Sequence, residues 1–135
     1  MSAKGMRVPW KQSSGRDARR ALVFSLRELE VDATVVGESE IVISELFSNA
    51  VRYAKPLPDG TIQVNWTVRS GVVEIAVTDG GGPTAPRPAP RAAMAVTGRG
   101  LRIVRGLAHE WGVLEERSGR TVWASLGGPS RRRIR

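Results

Sequence analysis

The sequence predicts an α+β protein, a two-layer α/β sandwich in which helices cover one face of a mixed, mainly antiparallel sheet. Two observations predict this class. Helical and alternating patterns follow in the order helix, helix, strand, strand, loop, helix, strand, strand, with no internal repeat. The strand patterns also come in adjacent pairs joined by short turns, which is typical of antiparallel hairpins with the helices segregated to one side.

The amino-terminal part predicts a short strand and a helix. Residues 1–9 are expected to be flexible or to form an edge strand, where Pro9 is tolerated. Leucines at helical spacing then predict a first helix over about 16–30.

A longer second helix is predicted by the run ATVVGESEIVISELFSNAVRYA. It is expected to end before Lys55, because Pro56 disfavours helical geometry in the residue that precedes it.

Two hairpins are predicted. The runs TIQVNWTVR (61–69) and VVEIAVTD (72–79) alternate apolar and polar residues, and only two residues separate them. The second hairpin is predicted in WGVLEERSGRTVWASLG, turning around Ser118 and Gly119, with Glu115 and Glu116 interpreted as a solvated strand end.

Between the hairpins lies a segment that cannot be regular. Residues 82–97 hold four of the eight prolines, and a loop of this length in a small domain is usually functional or disordered. A third helix is expected to begin at Leu101.

Composition and charge exclude several classes of protein. The chain has 135 residues, enough for one domain, and no cysteines, which excludes disulfides and thiolate metal sites and indicates a reducing compartment. No apolar run approaches the roughly 18 residues of a membrane helix, so we expect a cytoplasmic protein without membrane contact.

The net charge of +8 is concentrated in segments outside the predicted elements. Removing the four arginines of the tail PSRRRIR reduces it to +4, and removing Arg87 and Arg91 of the proline-rich segment reduces it to +2. We therefore expect residues 128–135 to be a disordered basic tail, and we rank nucleic-acid binding through it as an unfavoured alternative.

The second helix carries the first candidate site. Glu45, Asn49 and Arg52 fall within about 60° of one another around the helix axis. An amide oxygen can ligate a hard cation such as Mg²⁺, a guanidinium can pair with phosphate, and a carboxylate can deprotonate a hydroxyl. An ordinary solvated helix face is the alternative interpretation.

Two glycine-containing stretches add weaker signals. In TGRGLRIV, Gly98 and Gly100 precede a helix whose free N–H groups could bind an anion, although such turns are common. In TDGGGP, Asp79 could accept a hydrogen bond from an exocyclic amine, and the glycines would let a flat ring approach the backbone. A strand-ending Asp-Gly turn explains the second stretch equally well.

In this order the three stretches resemble the motifs of the Bergerat-fold (GHKL) ATPases, a superfamily that includes the histidine kinases. Glu45-x-x-x-Asn49 looks like its N box, Asp79-Gly80-Gly81 like its first glycine box, and Gly98-x-Gly100-Leu101 like its second. The sequences SELFSNAVRYA and GRGLRIVRGLAHEWGV are most similar to those of the anti-sigma regulatory factor branch. This resemblance implies a histidine kinase-like ATP-binding domain at residues 10–127, in which residues 82–97 would be the ATP lid.

The resemblance implies roles for the matching residues. Asn49 would coordinate Mg²⁺ on ATP, and Glu45 would be the general base. Asp79 would bind the adenine amino group with help from the Thr121 hydroxyl, and Gly81 would let the ring approach. Arg52 would lie near the nucleotide. The phosphates would meet the N–H groups of Gly98, Arg99, Gly100 and Leu101.

The implied activity is that of a serine/threonine protein kinase. Its substrate would be a small anti-anti-sigma (STAS-like) protein, with a sigma factor as a further partner, and the kinase would be a homodimer. The same residues would equally serve an ATP-binding regulatory module that binds a partner with little or no phosphotransfer, and this alternative stays open.

Overall fold

The computed structural model describes residues 1–82 and 102–128. The elements within these ranges are β1 (Ser2–Pro9), α1 (Ser14–Glu28), α2 (Ala33–Tyr53), β2 (Thr61–Arg69), β3 (Val72–Asp79), β4 (Glu110–Glu116) and β5 (Gly119–Leu126). A further helical segment covers residues 102–107. The predicted order of elements and the α+β class are confirmed.

Within residues 1–82 and 102–128 the strands form one five-stranded sheet in the order β1-β2-β3-β5-β4. All four neighbouring pairs are antiparallel, which agrees with the prediction of a mainly antiparallel sheet. The order places β3 at the centre and β5 beside it. Strand β3 is therefore flanked by β5 on one side, and helix α2 packs against it.

Both hairpins have two-residue turns. Ser70 and Gly71 have φ angles of 51° and 80°, the left-handed geometry that matches the twist of an antiparallel hairpin. In the second hairpin Glu116 pairs with Gly119, so Arg117 and Ser118 form the turn, one residue earlier than predicted.

The core lies between the helices and one face of the sheet. The sheet contributes the inward residues of alternate positions, including Ile62, Val64, Ile75 and Val77, which are at most 1% exposed. Trp66 closes one part of the core, and its indole N–H donates a 3.0 Å hydrogen bond to the Ser25 hydroxyl of α1. Burial of such apolar side chains is the main stabilising contribution to a fold of this size.

The predicted helix bounds differ from the observed ones by small shifts. Helix α1 begins at Ser14 and ends at Glu28, two residues earlier at each end than predicted. Helix α2 begins at Ala33, where the Asp32 side chain accepts a 3.0 Å hydrogen bond from the Thr34 N–H, and it ends before Pro56 as expected. Strand β1 is a full edge strand that pairs with β2 along its whole length.

The other face of the sheet carries mostly polar and small side chains. Gln63, Asn65 and Thr78 alternate with core residues on β2 and β3, and Leu114 on β4 is 52% exposed. Within the described ranges, neither long helix combines the length and the apolar character needed to cross a bilayer.

Candidate functional site

Helix α2 presents Glu45, Asn49 and Arg52 away from the core. Glu45 and Asn49 are half-buried and Arg52 is exposed, whereas Ile43, Leu46, Phe47 and Ala50 on the opposite side are at most 3% exposed. This division follows from the helical period, since apolar residues recurring every three or four positions pack on the sheet and leave the intervening face to solvent.

Asn49 carries a buried polar group in its side chain. Its side-chain nitrogen is buried and makes no hydrogen bond to any of the described residues. A buried amide group without a partner is unfavourable by about 1–3 kcal/mol. The amide oxygen can ligate a cation and the nitrogen can donate to a phosphate oxygen, so the group suits a metal-bound polyphosphate.

The end of α2 is joined to the turn after β3 by two backbone hydrogen bonds. The Lys55 N–H donates to the Gly81 carbonyl over 3.0 Å, and the Gly80 N–H donates to the Lys55 carbonyl over 2.7 Å. A Cβ atom at Gly80 would overlap the carbonyl oxygen of Pro56. The glycine at position 80 is therefore required by the protein's own backbone, and the segment that follows α2 is held against the turn after β3.

Asp79 ends β3 with a buried carboxylate that is 3% exposed as a residue. One of its oxygens accepts a 2.7 Å hydrogen bond from the Gly81 N–H, which holds the side chain over the turn. Burial raises the pKa of the Asp79 carboxyl to about 6, against the lowering effect of the Gly81 hydrogen bond and of the Arg120 charge, while Glu115 adds to the rise. The group is ionised at neutral pH and is incompletely solvated.

Gly81 provides open space beside this carboxylate. Its φ angle is +89°, which side chains rarely adopt, and no described atom lies within 4 Å of the position that a Cβ would take. A flat ring could therefore lie against the backbone here while its amine reaches Asp79.

Arg120 and Glu115 were not identified from the sequence. The Arg120 Nε atom lies 3.9 Å from the Asp79 carboxylate, and its Nη1 atom lies 3.9 Å from the Glu115 carboxylate. The interpretation of Glu115 and Glu116 as a solvated strand end agrees with the exposure of Glu116, whereas the Glu115 side chain is only 26% exposed and faces Arg120. The sequence did contain a signal for Arg120. It lies an even number of positions along the strand from the buried Ala124 and Leu126, so all three side chains lie on the same face of β5.

The structure does not bring Thr121 to Asp79. The Thr121 hydroxyl lies 2.8 Å from the Thr78 hydroxyl, and the two residues are register partners. Thr78 precedes Asp79 on the same strand, so the two side chains point to opposite faces of the sheet. The predicted role of Thr121 beside the adenine amino group is therefore wrong in this arrangement, and Arg120 takes the neighbouring position.

Several predicted residues lie outside the described ranges. They are the phosphate-binding residues Gly98, Arg99, Gly100 and Leu101, the lid from residue 83 to residue 97, and residues 129–135 of the basic tail. Their roles stay predictions. The described segment that follows them, residues 102–107, is helical as expected, and its Val104 is fully buried.

The arrangement can bind a ligand that has an amine at one end and a metal-bound anion at the other. Asp79 offers a hydrogen-bond acceptor over an open glycine turn, and Asn49 on α2 offers an amide whose nitrogen has no hydrogen-bond partner among the described residues. Glu45, one helical turn before Asn49, offers a carboxylate to a hydroxyl group.

Comparison with known proteins identifies a family and a similar fold. The family model of the histidine kinase-like ATPase domain matches residues 8–126. A similar solved structure is that of the RsbU and RsbW domains of Rv1364c from Mycobacterium tuberculosis, with a TM-score of 0.72 and 20% sequence identity. The similarity covers 97% of this chain and 34% of that one, so this chain spans about a third of that protein's length. No curated protein matches the chain in sequence. The family match over nearly the whole chain, on a fold of this topology, shows that the chain belongs to the family of histidine kinase-like ATPase domains.

Proposed function

We propose that this chain is an ATP-dependent serine/threonine protein kinase of the anti-sigma-factor type. It binds Mg-ATP between α2 and the turn after β3 and phosphorylates a small anti-anti-sigma (STAS-like) protein. Release of one partner and capture of another, with a sigma factor among them, would then regulate transcription. We propose further that the kinase acts as a homodimer in the cytoplasm.

One observation carries this proposal. The buried Asp79 carboxylate stands over the open Gly81 turn, and that turn is hydrogen-bonded to the end of the helix that bears Glu45 and Asn49. Membership of the ATPase-domain family supports a nucleotide as the ligand. Two observations support the anti-sigma branch. The fold is similar to that of a structure that contains an RsbW domain, and the motif sequence SELFSNAVRYA in α2 resembles that branch.

In this proposal, different residues bind different parts of the nucleotide. Asp79 accepts a hydrogen bond from the adenine amine, and the Gly81 backbone contacts the ring. Asn49 holds Mg²⁺ through its amide oxygen, and Arg52 faces the phosphates. When bound, Mg²⁺ neutralises charge on the phosphate oxygens and orients them.

Glu45 then acts as general base. It takes the proton of a serine or threonine hydroxyl, whose oxygen forms a bond to the γ-phosphorus while the bond from that phosphorus to the β–γ bridging oxygen breaks, releasing ADP. Phosphoryl transfer depends on such positioning and on exclusion of water more than on covalent chemistry by the protein. The N–H groups of Gly98, Arg99, Gly100 and Leu101 are assigned to the phosphates in this proposal.

The binding step is tested by titrating a fluorescent ATP analogue with and without Mg²⁺. Asn49→Ala is expected to remove the gain in affinity that Mg²⁺ produces, a loss of about tenfold or more, which equals about 1.4 kcal/mol. The matched control is Asn65→Ala, because Asn65 lies on the far face of the sheet. Equal affinity of wild type and Asn49→Ala in Mg²⁺ would contradict the assignment.

The transfer step is tested with radiolabelled ATP and a candidate STAS-like protein. Glu45→Gln is expected to slow transfer by about 10²–10⁴-fold, the usual contribution of a general base, while ATP still binds. Glu74→Gln, on the exposed face of β3, serves as the control and should keep the wild-type rate. Binding of ATP and partner without any label transfer by the wild type would instead support the regulatory module.

A further inference from the structure

Three charged side chains from three neighbouring strands meet beside the proposed adenine position. Asp79 is the register partner of Arg120, and Arg120 is the register partner of Glu115. The guanidinium lies between the two carboxylates, with 3.9 Å from its Nε to Asp79 and 3.9 Å from its Nη1 to Glu115. The three residues therefore form a carboxylate–guanidinium–carboxylate row across β3, β5 and β4.

The row is built into the protein and is poorly accessible to solvent. The Arg120 side chain is 15% exposed and that of Asp79 is 4% exposed. Gly119 makes the approach feasible, since a Cβ at that position would overlap the carbonyl oxygen of Asp79. Interactions between charges removed from water in this way are screened less than those on the surface.

Arg120 acts on Asp79 through its charge. The 3.9 Å separation exceeds the length of a hydrogen bond, so the guanidinium does not occupy a lone pair of the carboxylate. The Asp79 Oδ1 atom is bound by the Gly81 N–H, while Oδ2 accepts no hydrogen bond from the described parts of the chain. An ionised carboxylate with one free oxygen beside an open turn is ready to accept a donor from a ligand.

We propose that Arg120 is a positioning residue for base recognition: it keeps Asp79 ionised, so that the free carboxylate oxygen can accept the exocyclic amine of a purine. Glu115 holds the Arg120 guanidinium from the other side. This inference rests on the proposed binding of ATP and adds the residue that sets the state of its base-recognising group.

The charged groups that act on Asp79 come from two strands. Arg120 on β5 lowers the pKa of the carboxyl, and Glu115 on β4 raises it, both against the larger effect of burial. The segment after α2 contributes the backbone of Lys55 to the adjoining turn, and the Lys55 side chain is exposed.

Substitution of the two neighbours therefore shifts the pKa of Asp79 in opposite directions. Arg120→Met removes the positive charge, so the carboxyl stays protonated to a higher pH. Glu115→Gln removes a negative charge, so the carboxyl ionises at a lower pH. If Arg120 had a purely structural role, the two substitutions would not shift the pKa of Asp79 in opposite directions, because lost packing would weaken ATP binding at every pH.

The test measures the affinity for ATP relative to purine riboside triphosphate, from about pH 5 to about pH 9. The second nucleotide has the same phosphates but lacks the exocyclic amine, so the ratio of the two affinities isolates the contact with Asp79. In the wild type this ratio should fall with decreasing pH, with a midpoint near the Asp79 pKa of about 6. The midpoint should rise by about 1 pH unit in Arg120→Met and should fall in Glu115→Gln.

Arg69→Met, at the exposed end of β2, is the matched control and should keep the wild-type midpoint. Thermal unfolding and recovery of ATP binding at high pH show that Arg120→Met is folded. The inference is overturned if ATP binds but the midpoint stays in place in both variants, or if Arg120→Met lowers the ratio equally at all pH values. Absence of ATP binding by the wild type at any pH overturns the proposed function itself, which is a distinct result.

Discussion

Asp79 is in an environment that favours its neutral form, yet the proposed function needs its charged form. Burial is the largest contribution to its raised pKa, and the Gly81 N–H and the Arg120 guanidinium only partly offset it. A purine amine would supply a further hydrogen bond to the charged form. The residue therefore lowers the stability of the free protein at neutral pH and is expected to recover that loss on binding.

Asp79→Asn should make this loss visible. The folded pKa of about 6 lies above the ordinary aspartate value of 3.8, so the contribution of Asp79 to stability is present below pH 3.8 and is lost as the pH rises to about 6. The wild type should lose about 3 kcal/mol of unfolding free energy from this group over that range, since each pKa unit is worth about 1.4 kcal/mol.

The amide that replaces the carboxyl group in Asp79→Asn does not titrate, so this variant should be more stable than the wild type at pH 8 and should bind ATP more weakly. Urea unfolding at a series of pH values measures the first effect. Asp17→Asn, on the exposed surface of α1, is the control and should follow the wild-type pH dependence. A difference in stability that is constant with pH would contradict the prediction.

At the same scale, the sequence predicted Thr121 as the neighbour of Asp79 on β5, whereas the register partner of Asp79 is Arg120. The choice between Thr121 and Arg120 depends on which face of the sheet each side chain takes, and one step along a strand reverses that face. The register between β3 and β5 decides it, and this register is visible only in the structure.

At the scale of elements, the contact between α2 and the end of β3 determines the site. Their junction is made by backbone groups of Lys55, Gly80 and Gly81, with Pro56 packed against Gly80. Such a junction needs a residue without a side chain at position 80. The sequence interpretation assigned the glycines after Asp79 to ligand approach, whereas Gly80 serves the packing of the protein and only Gly81 leaves open space.

Gly80→Ala should therefore separate the two elements. The added methyl group would overlap the Pro56 carbonyl oxygen, and overpacking of this kind is destabilising by about 1–3 kcal/mol. ATP affinity should fall as well, because the turn that presents Asp79 must move away from α2. Chemical denaturation and nucleotide titration check the two effects.

Gly37→Ala, within α2, is the opposite case. No described atom lies within 4 Å of a Cβ at that position, and alanine is favoured over glycine in a helix by about 1 kcal/mol. It should raise stability and leave ATP affinity unchanged. Equal stability of Gly80→Ala and the wild type would contradict the role given to Gly80.

The elements themselves were largely predictable, because each depends on local pattern. Alternation gave β2 and β3 their observed bounds, and Pro56 ended α2 as expected. The small errors occurred at helix ends and in the second turn. At such positions one or two residues can belong either to the helix or strand or to the adjoining turn at similar free energy.

At the scale of the whole molecule, the class and the element order follow from the sequence, but the strand order does not. β5 inserts between β3 and β4, so strands far apart in the chain become neighbours. No local pattern encodes that pairing, and the row formed by Asp79, Arg120 and Glu115 exists only because of it. The family motifs could therefore indicate a nucleotide, whereas the charge environment of its base required the assembled sheet.

The backbone ties between Lys55 and the Gly80–Gly81 turn have a consequence for the choice of ligand. They fasten the turn that bears Asp79 to the segment that follows the helix bearing Asn49, so we expect the separation between the two side chains to vary little. Such a site selects a ligand by its length. A molecule binds tightly only when the distance between its two recognised groups matches the distance between Asp79 and Asn49. Nucleotides with lengthened or shortened linkers between base and phosphate should then be rejected even though each end is chemically correct.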